Sequence, residues 1–164
     1  MILVAVDFSP PSAAELLWAA RMAEAAGASL MVLHVVHDPE AAPGYYRAKK
    51  HGKYVRRLED AAAEMLETFV NTVAEEHPDI DAIKGADRRL EVGLPVNRVL
   101  EVAAETGASL IVVGSHGRSG FTHAWLGSKA ERIARQAPVP VTIVKVPPEP
   151  PETGTFTLPL IPGV

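Results

Sequence analysis

Short, uninterrupted apolar runs alternate with helical patterns along most of this chain, and this alternation limits the possible folds more than any other feature. Residues 2–6 and 30–36 are almost continuously apolar, which is typical of strands buried on both faces of a sheet. The segments that follow them carry apolar residues at three- and four-residue spacing, as amphipathic helices do. A βαβα order requires a parallel sheet with right-handed crossovers. The sequence therefore predicts an α/β fold with a single domain.

The predicted sheet has five strands and carries helices on both faces. The strands are expected at residues 2–6, 30–36, 81–92, 110–113 and 139–146, the third being polar enough for a sheet edge. Helices are expected at residues 12–26, 58–77, 96–106 and 128–136. Either Ser9 before Pro10, or Ser12 with Glu15 in a capping box, is predicted to start the first helix.

A glycine-rich segment from Gly114 to Ser128 connects the predicted fourth strand to the last helix. Its glycines include Gly117 and Gly127. Glycine adopts positive φ easily and lets backbone N–H groups approach an anion, while the start of the next helix presents unpaired N–H groups. A tight strand-to-helix turn also needs glycine, so the segment alone fits a structural connection equally well. It is not a P-loop, because Lys129 follows the serine, and no G-x-G-x-x-G follows the first strand.

The spacing Gly114-x2-Gly117-x9-Gly127-Ser128 resembles the nucleotide-binding signature of the universal stress protein family at every fixed position. The resemblance covers residues 1–146. It implies an adenine-nucleotide alpha-hydrolase-like fold with strand order 3-2-1-4-5. It also implies that ATP, or alternatively AMP or ADP, is the ligand.

In the ATP-binding members of that family, the aspartate ending the first strand contacts the ribose and adenine side. The end of the second strand forms the adenine slot, and the glycine loop holds the phosphates. Ala130 stands where some relatives carry a hydroxyl residue, which suggests weaker binding. Carried over to this chain, the expected cofactor-binding residues are Ala5, Val6, Asp7, Ser9, Val35, Val36, Val113, Gly114, His116, Gly117, Arg118, Gly127, Ser128 and Lys129.

Asp7 also has a structural interpretation, because a carboxylate after a strand can cap the following helix through its backbone N–H groups. As a ligand contact it suits ribose hydroxyls better than phosphates. His34 and His37 are three residues apart on a strand and point to opposite faces, which opposes a dedicated metal site. Mg²⁺ or Mn²⁺ is instead expected to arrive with the nucleotide, held by phosphate oxygens and water.

No catalytic residues are predicted, since the sequence contains no assembled nucleophile, base and acid pattern. The related ATP-pyrophosphatases carry a Ser-Gly-Gly-x-Asp-Ser loop after the first strand, and this chain does not. The sequence favours a nucleotide-dependent switch in stress responses with slow or no ATP hydrolysis. The alternative is a dimeric interaction module that regulates a partner protein without nucleotide.

Composition narrows the remaining classes of partner and the expected cellular location. A net charge of −4 argues against nucleic acid as a partner. The absence of cysteine fits a reducing compartment, and neither a signal peptide nor a membrane span is evident, so a cytoplasmic protein is expected. Six basic residues lie between Arg47 and Arg57; such a run is usually a solvated face, with contact to an anionic partner as the alternative.

The end of the chain points to association. The fifth predicted strand, 139–146, would be an aggregation hazard if left as a bare edge. Members of the family that this sequence resembles pair this strand across a two-fold axis. A homodimer through this strand, or a higher oligomer built from it, is therefore expected. Residues 147–164 form a Pro-rich extension containing six prolines, predicted to be extended rather than helical. Its apolar residues suggest that it docks on its own dimer or on a partner.

Overall fold

The computed structural model describes residues 1–37, 52–115 and 126–145, without the side chains of residues 52–57. These residues form a parallel sheet of five strands in the order β3-β2-β1-β4-β5, which confirms the predicted fold class and strand order. The strands are β1 (Ile2–Val6), β2 (Leu30–His37), β3 (Asp87–Gly93), β4 (Leu110–Gly114) and β5 (Val141–Val144). The helices are α1 (Ser12–Ala26), α2 (Gly52–Glu76), α3 (Asp81–Lys84), α4 (Pro95–Glu105) and α5 (Ser128–Gln136).

The side chains of each central strand alternate between two helical layers. Val4 and Val32 pack with α1, α2 and α3 in one core, which we call the α1/α2 layer. Leu3 and Leu33 pack with α4 and α5 in the other, the α4/α5 layer. Because neighbouring residues in a strand point to opposite faces, an uninterrupted apolar run fills both cores at once.

The prediction of one long third strand over 81–92 is wrong in its first part. Residues Asp81–Lys84 form the single-turn helix α3, which places Ile83 in the α1/α2 layer. An aspartate in the first turn and Gly85 at the C-cap are helix signals that the strand interpretation passed over. The fifth strand is likewise shorter than predicted, at Val141–Val144.

Two helices end as their glycines predict. Gly27 and Gly107 adopt φ of 58° and 63°, left-handed values that a side chain would strain. The residues after them, Ala28 and Ala108, donate to carbonyl oxygens five positions back, closing both helices with the pattern of a Schellman motif. Each helix therefore turns sharply into the next strand.

The two edges of the sheet differ in character. On β3, Arg88 pairs with Glu67, and Arg89 pairs with both Glu91 and Glu105 at 2.8 and 2.6 Å. Such charges discourage pairing with another chain. On β5 the sequence is Val-Thr-Ile-Val, and all four residues are half-buried. Of the two edges, β5 is the one whose composition leaves it open to a further strand.

Candidate functional site

The turn between β1 and α1 fixes the Asp7 carboxylate at the carboxyl edge of the sheet. Its Oδ1 accepts hydrogen bonds from the Ser9 N–H at 3.0 Å and from the Ser12 hydroxyl at 3.1 Å. The Asp7 N–H donates in turn to Ser12 Oγ at 3.3 Å. Ser12 is fully buried in the first turn of α1. Asp7 is therefore oriented through its own turn and through the helix that follows.

The predicted capping box is wrong. The N-cap of α1 is Pro11, and no side-chain cap bond is present there. Ser12 uses its hydroxyl for Asp7 instead, and Glu15 is only 3% exposed. Burial, and secondarily the negative charge of Asp7, raise the pKa of Glu15 to about 8. Glu15 is thus mostly a neutral acid at pH 7, so the turn carries one carboxylate charge rather than two.

Glu15 is the notable residue of this region that sequence reasoning missed. A signal was available, because Glu15 lies on the same helical face as Leu16, Ala19 and Ala23, which are all buried. A glutamate in that register has to enter the core. The capping-box interpretation assigned its carboxylate to the start of the helix and so hid the conflict.

Phe8 has a strained backbone conformation. It lies between Asp7, whose carboxylate accepts a hydrogen bond, and Ser9, whose N–H donates it. Its φ is 59°, a value that non-glycine residues rarely adopt. Its ring stacks on His34 with centroids 4.1 Å apart and meets Phe69 edge-on at 5.7 Å. The His34 Nδ1–H donates to the Val6 carbonyl at 2.8 Å. The aromatic contacts and this hydrogen bond stabilise the conformation of the turn.

The strand-end residues predicted to contact the base divide between the two faces of the sheet. Ala5 and Val35 pack half-buried on the α4/α5 layer, and Val113 is buried in the same core. Val6 is buried in the opposite, α1/α2 layer, and the alternation of β2 places Val36 on that side too. On the α4/α5 side, Val6 and Val36 therefore offer a base only their backbone atoms.

The described parts of the glycine-rich segment form the second half of the site. The Gly127 N–H donates to the Ser115 carbonyl at 2.7 Å, and the Ser115 N–H donates to the Val144 carbonyl at 2.9 Å. These bonds tie the start of α5 to the ends of β4 and β5. Positive φ, expected of the loop glycines, is absent at Gly114 and Gly127; Gly127 has φ −65°. His116, Gly117 and Arg118 lie outside the described residues.

The N-terminus of α5 is therefore held at the carboxyl edge of the sheet. Its first helical bond runs from the Glu131 N–H to the Gly127 carbonyl, so the N–H groups of Ser128, Lys129 and Ala130 precede the helical ladder. Ser128 and Lys129 are exposed, whereas Ala130 is buried in the α4/α5 layer. The site thus offers backbone donors, one hydroxyl and one cation to an anion.

The topology brings the two halves together. β1 pairs directly with β4, with Ile2, Leu3 and Val4 opposite Leu110, Ile111 and Val112. Asp7, which follows β1, and Gly114, which ends β4, consequently lie at the same edge of the sheet, where ligands bind in open α/β folds. Among the described residues, no group of three or more histidine, aspartate or glutamate side chains is arranged to hold a metal ion.

Comparison with known proteins places the chain in a family. The sequence profile of the universal stress protein family matches residues 1–145. The chain is 34% identical over 148 residues to a universal stress protein of Mycolicibacterium smegmatis, covering 88% of this chain and 45% of that relative. It is 31% identical over 150 residues to universal stress protein YxiE of Bacillus subtilis, covering 88% and 97%. The chain spans less than half the length of the mycobacterial relatives that it matches.

Solved structures of universal stress proteins superimpose on this chain. UspA from Lactobacillus plantarum superimposes with a TM-score of 0.73 at 24% identity, over 87% of this chain and 95% of that one, and shows the same fold. A universal stress protein in complex with cAMP superimposes with a TM-score of 0.55 at 26% identity, over 88% of this chain and 94% of that one. The universal stress protein from Archaeoglobus fulgidus in complex with dAMP superimposes with a TM-score of 0.54 at 26% identity, over 87% of this chain and 94% of that one. With a family profile matching most of its length, this chain belongs to the universal stress protein family.

Proposed function

We propose that this protein binds an adenine nucleotide, with ATP as the preferred form, between the β1–α1 turn and the start of α5. The observation that carries the proposal is the Gly127–Ser115 hydrogen bond at 2.7 Å, because it holds a helix N-terminus beside the strand end that presents Asp7. The similar structures that hold cAMP and dAMP support an adenine nucleotide as the ligand class.

The phosphates occupy the N-terminus of α5. The exposed Ser128 hydroxyl and the backbone N–H groups of Ser128, Lys129 and Ala130 are the donors. The helix N-terminus contributes roughly 0.3–1 kcal/mol and each charge-assisted hydrogen bond roughly 1.5–3 kcal/mol. Three or four such bonds, reduced by the cost of ordering and desolvation, give an affinity near ~1 μM. Gly117 and Arg118 are proposed to complete this part of the site, together with His116.

The ribose and base lie toward β1 and β2. Asp7 accepts hydrogen bonds from ribose hydroxyls, and Ser9 N–H together with Ser12 keep its carboxylate in position. The base lies against the half-buried side chains of Ala5 and Val35 on the α4/α5 face. Because Glu15 is mostly neutral at pH 7, the Asp7 carboxylate keeps its own charge without a second one beside it.

The proposed output is a nucleotide-dependent switch with slow or no hydrolysis. Mg²⁺ or Mn²⁺ enters with the phosphates and is held by phosphate oxygens and water. The protein is proposed to act as a homodimer joined through β5, since the β5 edge lacks the charges that protect β3.

Calorimetric titration of the purified protein with ATP and with AMP tests the proposal. Saturable heat with ATP, reduced in a Ser128→Ala variant, is expected. Gly127→Pro makes a sharper comparison, because proline fits the observed φ of −65° but removes the N–H that bonds Ser115; Gly127→Ala keeps it. Binding by the alanine variant and not by the proline variant is the expected pattern. No saturable heat with either nucleotide would contradict the proposal and favour the interaction module.

Hydrolysis is tested separately. Multiple-turnover release of phosphate by wild-type protein, lost in Gly127→Pro, would overturn the proposed switch without affecting the proposed binding. Mass spectrometry of the ligand released from freshly purified protein identifies the number of phosphates.

A further inference from the structure

An open apolar groove lies between the β1–α1 turn and the outer side of α2. Its volume is about 430 Å³. The core uses another stripe of α2, through Leu66, Val70 and Val73. Met65, by contrast, is 50% exposed, and Leu58 is 40% exposed on the same helix. The walls of the groove are Phe8, Ala61, Glu64, Met65, Thr68 and Phe69.

The groove is separate from the proposed nucleotide site. Phe8 and Phe69 pack on the α1/α2 layer, while Ala5 and Val35 pack on the α4/α5 layer across the sheet. The inference that follows therefore does not rest on the proposed function.

The chain itself supplies a segment that matches the groove. Residues 146–164 follow the last described residue, and their distal part, 153–164, carries no charged side chain. Phe156, Leu158 and Leu160 alternate there, so an extended backbone presents all three on one side. Pro-rich extended segments are bound by aromatic-lined grooves in other proteins, and Phe8 and Phe69 form an edge-on pair in this one.

Charge selects the distal part over the proximal part. Glu64 is the charged wall of the groove, and Glu59 and Asp60 precede it on the same helix. The proximal part of the extension carries Glu149 and Glu152, which these carboxylates would repel. The uncharged distal part meets no such repulsion.

The extension is long enough to reach the groove within one chain. β5 ends at Val144, on the carboxyl edge of the sheet, and β1 leads into Phe8 at the same edge. Two strand spacings, about 10 Å, separate β5 from β1. Residues 146–152 span roughly 22 Å as an extended Pro-rich segment at ~3.1 Å per residue. The linker therefore has length to spare for passing from the sheet edge to α2.

We propose that residues 153–164 bind in the groove between Phe8 and α2 of the same chain, with Phe156 and Leu158 against Met65 and Phe69. The extension thereby covers the apolar stripe of α2 that the core leaves exposed.

The absence of cysteine makes a direct test available. A nitroxide attached at Thr155→Cys is the only thiol-linked label in the chain, and the methionine methyl groups can be labelled with ¹³C. Strong broadening of the Met65 methyl signal is expected. Met22, 38% exposed on α1, and Met31, 9% exposed in the α4/α5 layer, serve as internal controls and are expected to stay sharp.

Three further samples decide the outcome. Ala61→Glu places a charge inside the groove, whereas Ala63→Glu places the same charge on another exposed part of α2; broadening is expected to vanish only in the first. Mixing spin-labelled chains with separate ¹³C-labelled chains should leave Met65 sharp. Equal broadening of Met22 and Met65, no broadening of Met65, or broadening of Met65 in the mixed sample as well would each overturn the proposal, the last by assigning the groove to the extension of a second copy.

Discussion

Replacing Glu15 with glutamine is expected to remove a pH dependence from the stability of this protein. Glu15 is 3% exposed, and burial next to Asp7 raises its pKa from 4.5 to about 8. The folded state therefore holds a proton that the unfolded state releases once the pH exceeds about 4.5. The stability contributed by the protonated acid is fully present below pH 4.5, is lost as pH rises toward 8, and changes little above it.

The size of the effect follows from the two pKa values. In the window between them, unfolding releases close to one proton, which corresponds to about 1.4 kcal/mol per pH unit. Between pH 5 and pH 8, Glu15 is expected to lower the free energy of unfolding by roughly 3–4 kcal/mol. That is a large part of the ~5–15 kcal/mol typical of a domain. Glu15→Gln has no such proton to lose.

Urea unfolding at pH 5, 6, 7 and 8, at one fixed protein concentration, measures the difference between wild type and Glu15→Gln. Carboxylates that do not interact with Glu15 contribute to both proteins equally and cancel in that difference. Glu64→Gln, at an exposed position on α2, is the matched control. A difference that stays constant across this range would refute the reasoning, because it would mean that Glu15 titrates alike in both states. Carboxyl ¹³C titration of Glu15 gives an independent reading of its folded pKa.

The other predictions concern binding, association and packing. Asp7→Ala is expected to weaken ATP binding roughly ten- to hundredfold in calorimetry, because one charged hydrogen bond is lost. Asp7→Asn is expected to weaken binding less, since it keeps an acceptor for the hydrogen bonds of the turn. Equal losses in the two variants would contradict the proposed contact between Asp7 and the ribose. Ile143→Pro is expected to give monomers in sedimentation, because the Ile111 N–H to Pro140 and Ser115 N–H to Val144 bonds leave the Ile143 N–H facing the open edge. Ile143→Ala, which retains that N–H, should stay dimeric, and a dimeric proline variant would exclude β5 as the interface. Leu66→Ala should cost ~2–5 kcal/mol of stability and Met22→Ala under ~1 kcal/mol, measured by urea unfolding. The reason is that Leu66 is 3% exposed and Met22 is 38% exposed, and similar costs would contradict the assignment of Leu66 to the core.

The architecture could be predicted because its signals are redundant. The strands other than β3 lie in mostly apolar runs, and the strand order came with the family resemblance carried by Gly114, Gly117 and Gly127. The failures occurred where one short segment fits two patterns. Residues 81–84 contain the start of a plausible alternating strand, but burying Ile83 against α1 and α2 favours a single helical turn. Tertiary packing decides such cases, and the sequence does not contain it explicitly.

The candidate site was predictable in its location and less so in its chemistry. The sequence pattern predicted that Asp7 follows the first strand and that Ser128 starts the last helix, and both residues have these positions in the structure; their roles in binding stay predictions. Spacing could not assign the Ser12 hydroxyl, because a capping bond and a bond to Asp7 use the same atom. It also gave no reason to expect φ of 59° at Phe8, which depends on rings from β2 and α2.

The division of the strand ends between two faces sets the limits of the nucleotide proposal. Successive residues of a strand point to opposite layers, so Ala5 and Val6 cannot both present side chains to one ligand. The structure assigns Ala5 to the layer that contains α5 and Val6 to the core under α1. A nucleotide whose phosphates lie at α5 therefore has its base on the Ala5 side. This leaves Phe8, His34 and the groove beside α2 on the other face, where an occupant can bind without competing for the nucleotide.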